Sequence, residues 1–180
     1  EKWIEEAKTV IALADEEQAW GVLAITDRLK ATSVQAIEEL HQEGIEVWML
    51  TGEQPEAARE VAGQVGIVHY QAGMLPQEKA AFIKELQSKG KKVAMVGDGI
   101  NDSAALAQAD LSIAMGQGSD IAMDTAMVTI LSSDLVKISE TIRLSQLTVR
   151  TIRQNLFWAF FYNLIGVPIA AGVLYPINGF

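Results

Sequence analysis

The sequence lacks cysteine, and it carries no charge after Arg153, so residues 154–180 are all uncharged. Without cysteine, disulfides and thiolate metal sites within this chain are excluded. Basic residues are few and scattered, and the formal net charge of -9 argues against a nucleic-acid-binding protein. A signal-peptide pattern is also missing after Glu1. The sequence is therefore predicted to be a piece of a longer protein, with an acidic soluble part and an uncharged end.

Short apolar runs alternate with helical stripes through most of the chain. Two runs, 9–14 and 20–26, surround a polar turn and predict a hairpin. Glycines follow several of the helical stripes, as expected at helix ends. The predicted strands are then 45–50, 67–70, 92–96, 111–115 and 127–131, and the predicted helices include 76–88, 103–109 and 119–125. This order favours an α/β fold with a doubly wound parallel sheet covered on both faces.

Polar residues follow the predicted strands, where doubly wound sheets bind ligands. Thr51, Gly52 and Glu53 follow one strand, and the segment Gly97-Asp98-Gly99-Ile100-Asn101-Asp102 follows another. Ordinary structural roles are available for some of them, since Thr51 can form a turn and Asp102 can cap the next helix.

Asp98 is less easily explained by local structure. It lies between two glycines, too early to cap the helix, and a second carboxylate, Asp102, follows four residues later. Such oxygen ligands suit Mg²⁺. A dinucleotide-binding loop is the competing interpretation, but the segment lacks the third glycine and places carboxylates where a pyrophosphate would bind. A magnesium site at Asp98 is therefore predicted.

Lys79 supplies the opposite charge. It lies in the first turn of a helix that begins at Pro76, where the helix dipole disfavours a cation, although a solvent-facing lysine is the structural alternative. The Thr51 hydroxyl, the Lys79 ammonium and Mg²⁺ at Asp98 would together neutralise a phosphoryl group.

The end of the chain predicts a long helix. Residues 134–155 form an amphipathic stripe, and residues 156–174 are uncharged and numerous enough to span a bilayer, with a buried core helix as the alternative. Arginines precede this run and none follows it, so residues 1–153 are expected to be cytoplasmic at the cell membrane. Tyr162 and Asn163 lie within the run and are candidates for a functional site, or for polar packing between helices.

Three of these segments resemble the signature motifs of the P-type ATPases: Thr51-Gly52-Glu53, Pro76-x-x-Lys79 and the segment from Gly97 to Asp102. The phosphorylation domain of that family has the haloacid-dehalogenase (HAD-like) fold. The resemblance covers essentially the whole chain, and it divides the chain into parts. These are residues 1–26 as the end of a nucleotide-binding domain, 27–133 as the C-terminal part of the phosphorylation domain, 134–155 as a stalk, 156–174 as one transmembrane helix and 175–180 as the start of an extracytoplasmic loop.

The resemblance also implies roles for individual residues. Asp98 and Asp102 would form the Mg²⁺ site, with Asn101 and Gly99 organising its loop, while Thr51, Gly52, Lys79 and Asp102 would act on the phosphoryl group that ATP donates in the intact enzyme. Two positions depart from the family pattern: Glu53 replaces the usual Asp, and Ala104 stands where proline is common. The Asp-Lys-Thr-Gly-Thr segment that becomes phosphorylated is absent, so the chain is expected to be inactive alone.

The uncharged run resembles the seventh membrane helix of heavy-metal-transporting P-type ATPases, and Tyr162-Asn163 resembles the copper branch. This resemblance implies part of a copper(I) export pump whose partners are Cu⁺, membrane lipid and the remaining domains of the same pump. Two alternatives stay open. One is a membrane-tethered HAD-type phosphatase, which also needs an absent aspartate motif, and the other is a non-enzymatic subunit or binding module for Mg²⁺ or phosphate.

Overall fold

The computed structural model describes residues 9–15, 18–25, 29–97, 100–116 and 126–172. The chain divides into two units, Glu1–Ser139 and Glu140–Phe180. The strands are β1 (Thr9–Ala14), β2 (Ala19–Ile25), β3 (Trp48–Leu50), β4 (His69–Gln71), β5 (Ala94–Gly97), β6 (Leu111–Met115) and β7 (Val128–Ile130). The helices are α1 (Thr32–Gln42), α2 (Pro55–Val65), α3 (Pro76–Ser88), α4 (Ser103–Gln108) and α5 (Val136–Ala170), with a 3₁₀ turn at Ile100–Asp102.

The predicted hairpin is present. Strands β1 and β2 pair antiparallel, with Thr9 opposite Ile25 and Ala14 opposite Ala19. Asp15 closes the turn, since its carboxylate accepts hydrogen bonds from the Gln18 backbone N–H at 2.7 Å and from the Trp20 indole at 2.8 Å.

Parallel pairing holds in the remaining strands, as the alternation of strands and helices predicts. Strand β3 pairs with β4, and β5 pairs with β6, which pairs with β7. The described residues form two separate parallel sheets, however, rather than the single doubly wound sheet that was expected. Apolar runs predict that strands exist, but not which strands are hydrogen-bonded to each other. The predicted helix 119–125 lies outside the described residues.

Helices α3 and α4 cover strand β5 and bury a small core. Its members are Ile83 from α3, Met95 from β5, and Ala105, Leu106 and Ala109 at and after α4, with Val93 packed against them. Burying a side chain such as Ile83 or Leu106 stabilises a fold by about 1.5–3 kcal/mol. Helix α3 also contacts the other parallel sheet, because Phe82 lies with its ring centroid 5.1 Å from that of Trp48 in β3. This packing fixes the start of α3 relative to the end of β5.

Asp110, after α4, joins three segments at the opposite end of this core. Its carboxylate accepts hydrogen bonds from Lys92 Nζ at 2.8 Å, from Gln87 Nε2 at 3.0 Å and from the Val93 backbone N–H at 3.1 Å. These donors, the Lys92 ammonium first, hold the pKa of Asp110 well below its usual range. The carboxylate therefore ties the end of α3 to the approach to β5.

Helix α5 begins at Val136, whose backbone N–H donates to the Asp134 carboxylate at 3.2 Å. Ile138 and Ser139 are its buried residues, and Ser139 donates a short hydrogen bond to Glu39 of α1. Within the second unit, the helix continues without a break past residue 155 and includes Pro168.

Within residues 9–172, as far as they are described, no helix is both long and apolar enough to cross a membrane. The transmembrane span predicted for residues 156–174 is therefore not confirmed. Its last two residues, and the predicted loop 175–180, lie outside the described part of the chain.

Candidate functional site

Lys79 and Asp102 form a largely buried ion pair. Lys79 Nζ lies 2.8 Å from Asp102 Oδ1, and the two side chains are only 13% and 15% exposed. The helix start that carries Lys79 is fixed by Glu78, whose carboxylate accepts a hydrogen bond from the Leu75 backbone N–H at 2.7 Å. The interpretation of Lys79 as a solvated surface lysine is therefore wrong.

Asp102 precedes helix α4 but does not cap it with its side chain. The predicted capping role is thus corrected, because the carboxylate turns away from the helix and accepts a hydrogen bond from Lys79. Helix α4 nevertheless forms with Ala104 in its first turn, without the proline that the resemblance led us to expect.

Gly97 makes this arrangement possible. A Cβ atom at Gly97 would lie 2.8 Å from Asp102 Oδ2 and 2.9 Å from Asp102 Cβ, distances that real Cβ atoms essentially never show. The contact of Gly97 with Asp102 was not predicted from the sequence. The signal was present, since a glycine at the end of a strand often marks a close approach of another group.

Thr51 closes the loop that follows β3. Its hydroxyl accepts a hydrogen bond from the Glu53 backbone N–H at 3.1 Å, so the turn expected as the structural alternative is present. Gly52 is exposed, and a Cβ there would make only an ordinary contact, 3.5 Å from the Met74 carbonyl. The Thr51 hydroxyl also carries a proton that it can donate.

The Thr51 loop lies beside the start of α3. The Met74 backbone N–H donates to the Thr51 carbonyl at 3.0 Å, and the Gly73 N–H donates to the Glu53 carbonyl at 2.8 Å. Met74 immediately precedes Leu75, the residue at which α3 is capped. These hydrogen bonds tie the Thr51 loop to the segment before α3, the helix that carries Lys79. Thr51 and Asp102 follow β3 and β5 at their carboxyl ends, the edge at which parallel sheets bind ligands.

Other predicted site residues lie outside this group or outside the described residues. Asp98 and Gly99 are among the residues whose structure is not described, and Asn101 is exposed in the 3₁₀ turn. Within the described ranges, which omit 98–99, no cluster of three or more acidic, histidine or cysteine side chains could hold a metal ion.

Tyr162 and Asn163 are both exposed on helix α5 of the second unit. Tyr162 lines a groove of about 430 Å³ with Trp158, Gly166 and neighbouring apolar residues, and Asn163 does not. Consecutive helical residues point in different directions, so these two side chains face different surroundings.

Comparison with known proteins assigns the chain to a class. A family model of haloacid dehalogenase-like hydrolases matches residues 1–110. The chain belongs to the haloacid dehalogenase-like hydrolase family, and this confirms the HAD-like fold that the motifs indicated.

Individual relatives are more specific than the family model. The chain is 54% identical over 173 residues to a probable copper-importing P-type ATPase A of Enterococcus hirae, covering 94% of this chain and 24% of the relative. It is 49% identical over 180 residues to a copper-exporting P-type ATPase of Vibrio cholerae, covering 100% of this chain and 20% of the relative. The crystal structure of a zinc-transporting PIB-type ATPase in an E2.Pi state matches with a TM-score of 0.82 and 34% identity, covering 95% of this chain and 28% of that one.

These matches confirm the resemblance to heavy-metal-transporting P-type ATPases. The chain spans about a quarter or less of the length of these curated relatives.

Proposed function

We propose that this chain is part of an ATP-driven copper(I) export pump and supplies one side of its phosphoryl site. The observation that carries the proposal is the buried pair of Lys79 and Asp102, 2.8 Å apart and next to the Thr51 loop. A fixed ammonium group at this edge can stabilise the negative charge of a phosphoryl group, and Asp102 holds it in position. The Thr51 hydroxyl can donate a hydrogen bond to a phosphoryl oxygen.

Mg²⁺ fits the residue types of the same edge. Asp98 directly follows β5, and Asp102 presents a second oxygen, Oδ2, that no described residue engages by a hydrogen bond. Hard carboxylate oxygens are the ligands that Mg²⁺ prefers. We assign Asp98 and Asp102 as its ligands and Gly99 and Asn101 to their loop. When bound, the ion supplies positive charge toward the oxygens of the phosphoryl group.

Titration of the chain with Mg²⁺ tests this assignment. The backbone amide signals of Gly97 and Asn101 are expected to shift in the NMR spectrum of the natural sequence and to stay in place in Asp98→Ala. Equal shifts in both proteins would remove Asp98 from the site.

A nucleophile must come from elsewhere, because no Asp-Lys-Thr-Gly-Thr segment occurs in the sequence. Within the described residues, β3 pairs only with β4, and β5 only with β6 and not with β3. Each of these strands thus has an edge open to a further strand. We propose that the remaining part of the same pump provides that strand and the phosphorylated aspartate, so that this chain alone does not hydrolyse ATP.

Residues 156–174 form the membrane-embedded part in this proposal, with residues 1–153 on the cytoplasmic side. Support comes from the lack of charge after Arg153 and from large apolar side chains that are exposed along α5, such as Phe160 at 68% and Leu164 at 74%. Tyr162 and Asn163 are then the candidate residues for contact with the transported Cu⁺. Copper is taken as the ion because relatives covering nearly the whole chain are named as copper transporters.

Transport by the complete gene product tests the function. Inverted membrane vesicles should accumulate radioactive copper(I) in an ATP-dependent manner, and Lys79→Ala should lower the rate about a hundredfold, as expected when a donor to a developing charge is removed. Lys84→Ala is the matched control, since Lys84 is an exposed lysine of the same helix. Copper uptake that needs no ATP, or a Lys79→Ala variant as fast as the control at equal expression, would contradict the proposal. Phosphatase activity without transport would favour the alternative of a tethered phosphatase.

A further inference from the structure

Helix α5 carries a shallow groove of about 560 Å³ that combines cations with aromatic rings. Its lining includes Gln146, Arg150, Arg153, Phe157 and Trp158, and we call these five residues the arginine groove. Gln146, Arg150, Arg153 and Phe157 follow one another at intervals of three or four residues, so they share one face of the helix. All five belong to the second unit.

The described residues do not neutralise the cations of this groove. Residues 141–180 contain three arginines and no acidic residue. In the described part of the chain, no carboxylate lies within 4.0 Å of the Arg150 or Arg153 guanidinium. The whole chain nevertheless has a net charge of -9. The arginine groove is therefore a local basic site on an acidic chain, and it calls for an anionic occupant.

Large rings line the same groove as the guanidinium groups. Phe157 is 59% exposed and Trp158 is 62% exposed, and their ring centroids are 5.5 Å apart in an edge-to-face arrangement. An occupant must thus pair with cations at one end and cover apolar surface at the other. Tryptophan and arginine are the residues that combine these properties where membrane surface meets water.

We propose that the arginine groove binds the phosphate of an anionic phospholipid headgroup. Two guanidinium forks can hold a phosphate by paired hydrogen bonds, and the acyl chains of the same lipid then cover Phe157 and Trp158. Free phosphate would satisfy the arginines but leave the rings in water. This inference rests on the membrane placement proposed above, and it adds the chemistry of the lipid.

Vesicle flotation of the 180-residue chain distinguishes headgroup binding from membrane placement alone. The vesicles contain either phosphatidylcholine alone or phosphatidylcholine mixed with an equal amount of phosphatidylglycerol. The chain should bind both kinds and bind the anionic vesicles more strongly, although its net charge opposes this. Each arginine near an anionic surface contributes enough that Arg150→Gln with Arg153→Gln should weaken binding to anionic vesicles about 30-fold. Arg59→Gln with Lys84→Gln, which changes the net charge equally on the α/β unit, should bind like the natural sequence.

The outcomes are distinct. Equal binding to both kinds of vesicle would overturn the headgroup inference and leave the membrane placement standing, whereas binding to neither would overturn both. Unchanged anionic binding in the double arginine variant, or an equal loss in the control, would show that the arginine groove is not the site.

Inorganic phosphate matched to the lipid phosphate should not release the chain, and release would identify soluble phosphate as the occupant. Arg150→Lys with Arg153→Lys should retain part of the preference, because charge remains while the paired hydrogen bonds are lost.

Discussion

Gly97 leaves Asp102 the space to reach Lys79. Because the Asp102 Cβ lies 2.9 Å from where a Gly97 side chain would begin, rotation of the Asp102 side chain cannot relieve the overlap. The backbone after β5 would have to move, and this backbone leads into the loop of Asp98. A residue without a side chain therefore determines the position of two charged groups.

Replacement of Gly97 should consequently be costly. We expect Gly97→Ala to lower the free energy of unfolding by about 1–3 kcal/mol, the usual range for an added methyl group in a tightly packed place. Urea denaturation of the purified chain measures this change.

Gly63→Ala provides the matched control for the same substitution. Gly63 lies within helix α2, and a Cβ there would meet nothing within 4 Å. Alanine is favoured over glycine inside helices, so this variant should gain about 0.5–1 kcal/mol. If Gly97→Ala is stabilising, as Gly63→Ala is expected to be, then Gly97 is not as crowded as the structure indicates.

The chemical types of the site residues could be predicted from sequence, but their partners could not. Lys79 and Asp102 are 23 residues apart, and only the packing of α3 and α4 on β5 brings them together. Local pattern suggested a helix cap for Asp102, since the residue before a helix is often one. The opposite charge of Lys79 at 2.8 Å offers a stronger interaction than the cap, and local sequence does not contain that information.

Asp110, which joins the end of α3 to the approach to β5 by hydrogen bonds, gives the stability of the fold a dependence on pH. Its pKa in the folded state is lowered by Lys92, Gln87 and the Val93 N–H, so the unfolded chain binds a proton at higher pH than the folded chain does. The stabilising contribution is therefore fully present above the ordinary carboxyl pKa of about 4 and decreases as the pH falls further toward the folded value. We expect Asp110→Asn to be less stable than the natural sequence at neutral pH, with a difference that narrows below about pH 4.

Urea denaturation across this range of pH measures the difference. Lys92→Met retains the carboxylate but removes its main partner, so its stability should depend on pH less steeply than that of the natural sequence. A gap between Asp110→Asn and the natural sequence that stays constant from neutral to acid pH would show that the Asp110 network does not hold the pKa down.

Helix α3 was predicted with its observed bounds, as were strands β1 and β6, whereas strand β3 was not. The predicted helix 76–88 is observed as α3, because Pro76 is suited to the first turn and Gly90, with a φ of 78°, follows the last. Strand β3, in contrast, spans Trp48–Leu50 rather than 45–50. Its length is set by its partner β4, which is three residues long. A helix contains its own hydrogen bonds, whereas a strand depends on a neighbour that its own sequence does not specify.

At the scale of the whole molecule, the described parallel strands form two sheets rather than one. Periodicity predicted the order of strands and helices, and the motifs predicted the family. The continuity of the sheet could not be predicted, because β3 and β5 are not paired with each other among the described residues. We propose that the strand with the missing aspartate, from the remaining part of the pump, lies between β3 and β5.

The identity of the ion is a property of the complete protein, and Asn163 offers a way to test it. An amide in the hydrocarbon part of a membrane is costly, and it is by default a candidate for a functional site. If Asn163 contacts Cu⁺ as proposed, losing one polar contact of about 1.4 kcal/mol should lower the apparent affinity for copper about tenfold in Asn163→Ala. Transport by the complete gene product, compared for Cu⁺, Ag⁺ and Zn²⁺, measures this loss.

Asn155→Ala is the control, because it removes the same amide from the same helix just before the predicted membrane span begins at Leu156. Its transport should match that of the natural sequence for all three ions. Asn163→Ala should affect Cu⁺ and Ag⁺ alike, since both are soft monovalent ions, and Zn²⁺ should be a poor substrate in every variant. Equal losses of copper affinity in both asparagine variants would assign Asn163 to helix packing. Efficient transport of Zn²⁺ by the natural sequence would show that copper is not the ion of the proposed pump.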